Sequence, residues 1–240
     1  MKIFPAIDLS KGKCVRLLKG EKGTETVFSE NPVEQAQKWE ACGAANLHVV
    51  DLDGAFNGIP GNLQVIKDIV SSTKSAVQVG GGIRDIESIE RYLDFGVYRI
   101  ILGTSAFRDP DLLVNACNRF PGQIAVGIDT REGKIAIKGW TETIDSDTKD
   151  ILDKFYEIGV SMIVHTDIDR DGTLSGINAG ALDMFVRLSK IPVITSGGIS
   201  SMDDLEKLAD IESDFLYGAI LGKSIYTGSI DLSTAVKRFE

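Results

Sequence analysis

Two stretches of this chain read alike about half its length apart, and that repeat limits the folds open to it. Pro5-Ala6-Ile7-Asp8-Leu9 leads through Ser10-Lys11 to Gly12-Lys13, and Val126-Gly127-Ile128-Asp129-Thr130 leads through Arg131-Glu132 to Gly133-Lys134. Each is an apolar run of strand character that stops on an aspartate and opens into a glycine loop. In α/β enzymes such strand ends carry chemistry. The likeness extends further. Val49-Val50-Asp51-Leu52-Asp53-Gly54 matches His165-Thr166-Asp167-Ile168-Asp169-Arg170, and Gly81-Gly82-Ile83 matches Gly197-Gly198-Ile199, both 116 positions on. Gly103-Thr104-Ser105-Ala106 matches Gly222-Lys223-Ser224-Ile225 at 119. Matches in the same order, drifting by loop lengths, read as a duplicated unit with halves near 1–121 and 122–240.

Short β-branched runs alternate with amphipathic stretches throughout. Strands are expected over 2–8, 46–51, 76–80, 98–102, 123–129, 161–166, 191–195 and 214–221. Several are apolar nearly throughout, as buried parallel strands are. Pro5 lacks a ladder donor, so the first strand is expected to be the least regular. Helix starts are marked by Asn31-Pro32, Asp109-Pro110, Asp85, Asn178 and a capping box from Ser201 to Asp204. Eight strand–helix units without a long linker favour one single-domain (β/α)₈ barrel over residues 1–240. An open doubly wound sheet is the alternative, but its G-x-G-x-x-G first turn is missing. Residues 14–19 and 134–138 read as hairpin strands in extended loops over the barrel mouth.

In such a barrel the first and fifth strands are opposed, so Asp8 and Asp129 face each other across the C-terminal mouth. The Gly81-Gly82 and Gly197-Gly198 turns follow strands three and seven; Gly103-Thr104 and Gly222-Lys223 follow strands four and eight. Backbone N–H groups and helix starts there suit anions. Two such sites on opposite rims predict a ligand with a phosphate at each end and its reactive centre between the aspartates. Bulky residues at Gly82 or Gly198 are then expected chiefly to raise KM.

A net charge of −9 argues against nucleic acid, though not against small phosphorylated ligands. No apolar run approaches the roughly 20 residues that span a bilayer, and no secretory leader is read, so a cytoplasmic chain without membrane partners is expected. Cys14, Cys42 and Cys117 show no metal spacing and read as reduced, small buried hydrophobes. His48 and His165 do not correspond across the repeat, and no metal site is expected. His48 reads as a packed polar group or a substrate contact, Trp39 as core, and Trp140 as a residue to stack on a ring. Arg16, Lys19 and Arg84 are placed at the mouth.

Pro5-Ala6-Ile7-Asp8-Leu9, Val15-Arg16-Leu17, the run from His48 to Ala55, Val79-Gly80-Gly81-Gly82-Ile83-Arg84, Lys138-Gly139-Trp140 and His165-Thr166 together resemble one family closely. It is the phosphoribosylformimino-aminoimidazole-carboxamide ribotide isomerase of histidine biosynthesis. The resemblance implies a (β/α)₈ barrel of two similar halves, a small bisphosphate substrate, no cofactor, and an Amadori rearrangement of an aminoaldose to an aminoketose. It implies Asp8 as general base, Asp129 as general acid, and Thr166 in support. The glycine turns match the phosphate sites. Gly20, Asp51, Gly172 and Thr173 join Arg16, His48, Arg84 and Trp140 in the substrate-binding set, and a monomer is expected. Three alternatives stay open. Asp171-Gly172-Thr173 leans toward the cyclase subunit of imidazole glycerol phosphate synthase. The chain could also isomerise phosphoribosylanthranilate, or bind sugar phosphates without chemistry.

Overall fold

The computed structural model describes residues 1–18, 20–131, 134–137, 142–143 and 147–240. The parallel strands β1 (Lys2–Ser10), β2 (Asn46–Asp51), β3 (Ala76–Gly80), β4 (Arg99–Leu102), β5 (Ile124–Arg131), β6 (Met162–Asp167), β7 (Val193–Ser196) and β8 (Leu216–Leu221) pair in chain order. Pairing continues from β5 through β8, and Lys2 opposite Gly218 closes the barrel. Around it run α1 (Pro32–Ala41), α2 (Leu52–Asn57), α3 (Leu63–Ser72), α4 (Ile86–Asp94), α5 (Thr104–Arg108) and α6 (Pro110–Arg119). The second half adds α7 (Thr148–Ile158), α8 (Ala179–Leu188), α9 (Met202–Ala209), α10 (Lys223–Tyr226) and α11 (Leu232–Phe239). The expected strands all form, with ends displaced by at most two residues.

The period-two alternation of the strands makes two cores. Inward residues Phe4, Ala6, Ile101, Ala125, Met162, Val164, Ile194 and Ile220 fill the barrel. Outward neighbours such as Ile3, Ile7, Val49, Val79, Val126 and Val193 pack beneath the helices. Burying a side chain such as Ile7 stabilises the fold by about 1.5–3 kcal/mol, so Ile7→Asn would lose that and strand a polar amide. The same alternation aims the acids. Asp8 continues the inward row of Phe4 and Ala6, and Asp129 that of Ala125 and Gly127.

Asn31, Asp85, Asp109, Asn178 and Ser201 each accept a backbone N–H at the start of their helix, a cap contributing about 1 kcal/mol. At Ser201 only half of the capping box forms. Asp204, a methylene shorter than glutamate, takes the N–H and hydroxyl of Ser200 instead of the N–H of Ser201. Trp39 is buried against Tyr226. Cys14 and Cys117 are buried, while Cys42 is half-buried at the edge of the core.

The first strand differs from expectation. It is the longest in the barrel, and Pro5 stands at the last rung of its ladder with β8, where a missing donor costs least. The register shift falls instead between Val193 and Ile194. The first hairpin strand is Lys13–Arg16, and it pairs further with Thr26–Ser29, a strand the sequence did not reveal. The second is Lys134–Ile137, paired with Glu142–Thr143. Asp8 lies opposite Val15 and Asp129 opposite Ala136, seven residues on in each case.

Candidate active site

Both aspartates reach one cavity of about 240 Å³ at the C-terminal mouth, together with Arg16, Gly20, His48, Gly81, Gly103, Thr166 and Asp171. They come from opposed strands, and Thr166 is the β6 neighbour of Asp129. A second recess beside it is lined by Arg16, Asp171, Gly172, Gly197, Gly198, Gly222 and Lys223. The glycine turns sit as the repeat places them. Gly81 and Gly197 have φ of 106° and 95°, Gly82 and Gly198 of 74° and 83°. A Cβ at any of the four would strike the backbone of Asp51, Asp167, Gly54 or Gly176, so only glycine fits. That crowding locks the turns, and a bulky residue there would displace the backbone as well as weaken binding.

Arg16 dominates the electrostatics. It is 9% exposed, and its Nη1 lies 2.9 Å from Asp8 Oδ2 as a charge contact rather than an aligned hydrogen bond. Its Nε has no hydrogen-bond partner among the described residues. Burial raises the Asp8 pKa to about 6, although Arg16 pulls it down; Asp171 adds to the rise. Burial opposes the Arg16 charge, but Asp8 and Asp171 outweigh it and hold the guanidinium charged. Asp171 is itself raised by burial and partly restored by Arg16. His48 is held neutral: burial, then Arg16, pushes its pKa down to about 3.

Other described candidates stand outside the 240 Å³ cavity. Asp51 is fully buried and accepts from the N–H groups of Gly54, Gly61 and Asn62 and from Asn62 Nδ2. Its oxygens organise the loop after β2 and are spent there. Arg84 is exposed and lies over Gly58, outside the cavity lining. Thr104 opens α5 beside Gly103. Thr173 ties its own loop through Arg170 O at 2.7 Å, while Lys223 Nζ donates to Gly172 O at 3.1 Å. Lys19 and Trp140 lie outside the described residues. His165 faces away from the cavity, bonded to Thr130 and packed on Phe185; burial lowers its pKa to about 4.

Asp171 is the member that sequence reasoning missed. It lines both recesses, yet Ala55 stands at its place in the first half, so the repeat could not point to it. Its one signal was the adjoining Gly172-Thr173. Among the described residues no cluster of His, Cys, Asp and Glu could hold a metal ion, and no helix is long and apolar enough to cross a membrane.

The chain matches the histidine biosynthesis protein family over residues 2–231. A protein of Trichlorobacter lovleyi is 50% identical over 236 residues, covering 98% of this chain and 96% of its own length. Its name is 1-(5-phosphoribosyl)-5-((5-phosphoribosylamino)methylideneamino) imidazole-4-carboxamide isomerase. Proteins of the same name in Geobacter sulfurreducens and Synechocystis are 49% and 48% identical, covering 98% and 99% of this chain and 97% and 93% of their own lengths.

Proposed function

This chain belongs to the histidine biosynthesis protein family, and from that we propose that it catalyses the Amadori rearrangement of the phosphoribosylformimino aminoaldose to its aminoketose. The observation that carries the reading is the single cavity into which opposed strands send Asp8 and Asp129. Asp129 gives its proton to the ribose ring oxygen and opens the ring to a Schiff base. Asp8 then takes the proton from the neighbouring ribose carbon, and the enolamine becomes the ketose as its hydroxyl gives up a proton and the former anomeric carbon gains one. A base with a pKa of about 6 is ionised at neutral pH yet stays basic, which suits Asp8 to its step.

The substrate spans the mouth. One phosphate lies at Gly172, Gly197, Gly198, Gly222 and Lys223, where Arg16 adds charge; the other lies at Gly81, Gly82, Gly103 and Thr104. Anchoring at both ends fixes the reacting carbon between the carboxyls, and such orientation lowers barriers by up to about 7–11 kcal/mol. Thr166 supports the reaction beside Asp129, and Gly20 and His48 line the bound sugar. The remaining reading is of two half-barrels in one chain, acting as a cytoplasmic monomer without a cofactor.

Purified protein incubated with the aminoaldose and no nitrogen donor tests this. An ultraviolet absorbance change with formation of the aminoketose is expected. Unchanged substrate that still binds would leave a sugar-phosphate-binding barrel, and turnover only with ammonia would make it a cyclase. Phosphoribosylanthranilate in a parallel assay reports any second activity.

A further inference from the structure

Below the aspartates, three polar side chains cross the barrel interior in a line, and two of them, Gln78 and Arg99, have no role in the mechanism. Strand register sets them side by side: His48 opposite Gln78 on β2 and β3, and Gln78 opposite Arg99 on β3 and β4. All are buried, at 9%, 1% and 5% exposure. Arg99 Nη1 donates to Gln78 Oε1 at 3.1 Å, and Gln78 Nε2 lies 3.0 Å from His48 Nδ1.

The hydrogen-bond polarity of this line is determined from its far end. A guanidinium only donates, so the Gln78 atom facing Arg99 is the carbonyl oxygen. The atom facing His48 is then the amide nitrogen, which also only donates. His48 Nδ1 must accept, and a neutral imidazole that accepts at Nδ1 carries its proton on Nε2. Burial and the nearby Arg16 keep the ring neutral. Nε2 is the nitrogen left for the cavity, which His48 lines.

We propose that Arg99 and Gln78 are positioning residues that fix His48 in the Nε2–H tautomer, so that the ring offers the ligand a hydrogen-bond donor and not an acceptor. The group it meets is an oxygen lone pair on the sugar phosphate held between Asp8 and Asp129. That last step rests on the proposed isomerase reading; the tautomer does not.

The chain has two histidines, so ¹⁵N-histidine spectra at neutral pH report the tautomer directly, with His165→Gln assigning the pair. An unprotonated Nδ1 and a protonated Nε2 at His48 are expected; a protonated Nδ1 or an averaged signal overturns the proposal. Gln78→Glu places an acceptor against Nδ1, so the proton should move there and kcat/KM should fall about tenfold or more. Arg99→Met frees the amide to turn, and Arg99→Lys should recover most of what it loses. In a His48→Ala background Gln78→Glu should have no further effect. A displaced tautomer with unchanged kcat/KM would also overturn the proposal. Wild-type protein that shows the tautomer but does not convert the aminoaldose would sink the isomerase reading alone.

Discussion

Asp8 and Arg16 lie on adjacent antiparallel segments with Oδ2 and Nη1 2.9 Å apart, and both line the cavity at the barrel mouth. Burial drives the carboxyl toward its neutral form and Arg16 drives it back, and burial wins by enough to leave the pKa near 6. On the proposed mechanism the cation therefore tunes the base.

On the proposed mechanism the rate should fall as pH drops through about 6, because protonated Asp8 could not accept the ribose-carbon proton. A pH profile of kcat/KM checks this, with the acid limb near that value. A limb close to the ordinary aspartate value of 3.8 would mean that another group is the base.

Arg16→Leu removes the charge that lowers the Asp8 pKa. The acid limb should then move to higher pH, and KM should rise with loss of a phosphate-facing cation. The same profile measured on the variant is the check. A limb that moves down would show that Arg16 does not act through Asp8.

An acid whose folded pKa is raised costs stability wherever it must ionise. Below 3.8 Asp8 is protonated in folded and unfolded chains alike and contributes nothing. Stability then declines as pH rises to about 6, beyond which the penalty is constant at roughly 2–3 kcal/mol. Asp8→Asn should thus match wild type in acid and exceed it at neutral pH in denaturant unfolding, because the pKa of about 6 already includes the attraction of Arg16.

Gly82 and Lys223 should part company. Gly82→Val meets crossing backbone at positive φ, so its melting temperature should drop, with about 1–3 kcal/mol lost to backbone strain alone. Lys223→Met should keep the fold and raise KM by about tenfold with kcat little changed. Thermal unfolding beside steady-state kinetics separates the two outcomes.

The barrel was readable because each strand is a short apolar run bounded by caps, and caps act locally. Opposed Asp8 and Asp129 followed from the repeat together with the eight-stranded barrel it pointed to. What the repeat could not show is where the halves differ: Arg16 has Ile137 at its place 121 positions on, and Asp171 has Ala55 116 before. Asp51 entered the substrate-binding set only through the family resemblance. Yet it faces Asn62 and three backbone N–H groups, partners that only folding brings together. The Gln78–Arg99 line was hidden for a similar reason, since cross-strand register is not local in sequence.

The most direct trial of the account is the turnover of Asp8→Asn and Asp129→Asn, each purified and assayed on the aminoaldose. Both should lower kcat by about 10²–10⁴ while leaving KM near its wild-type value. Near wild-type turnover in either would contradict the role assigned to that carboxyl.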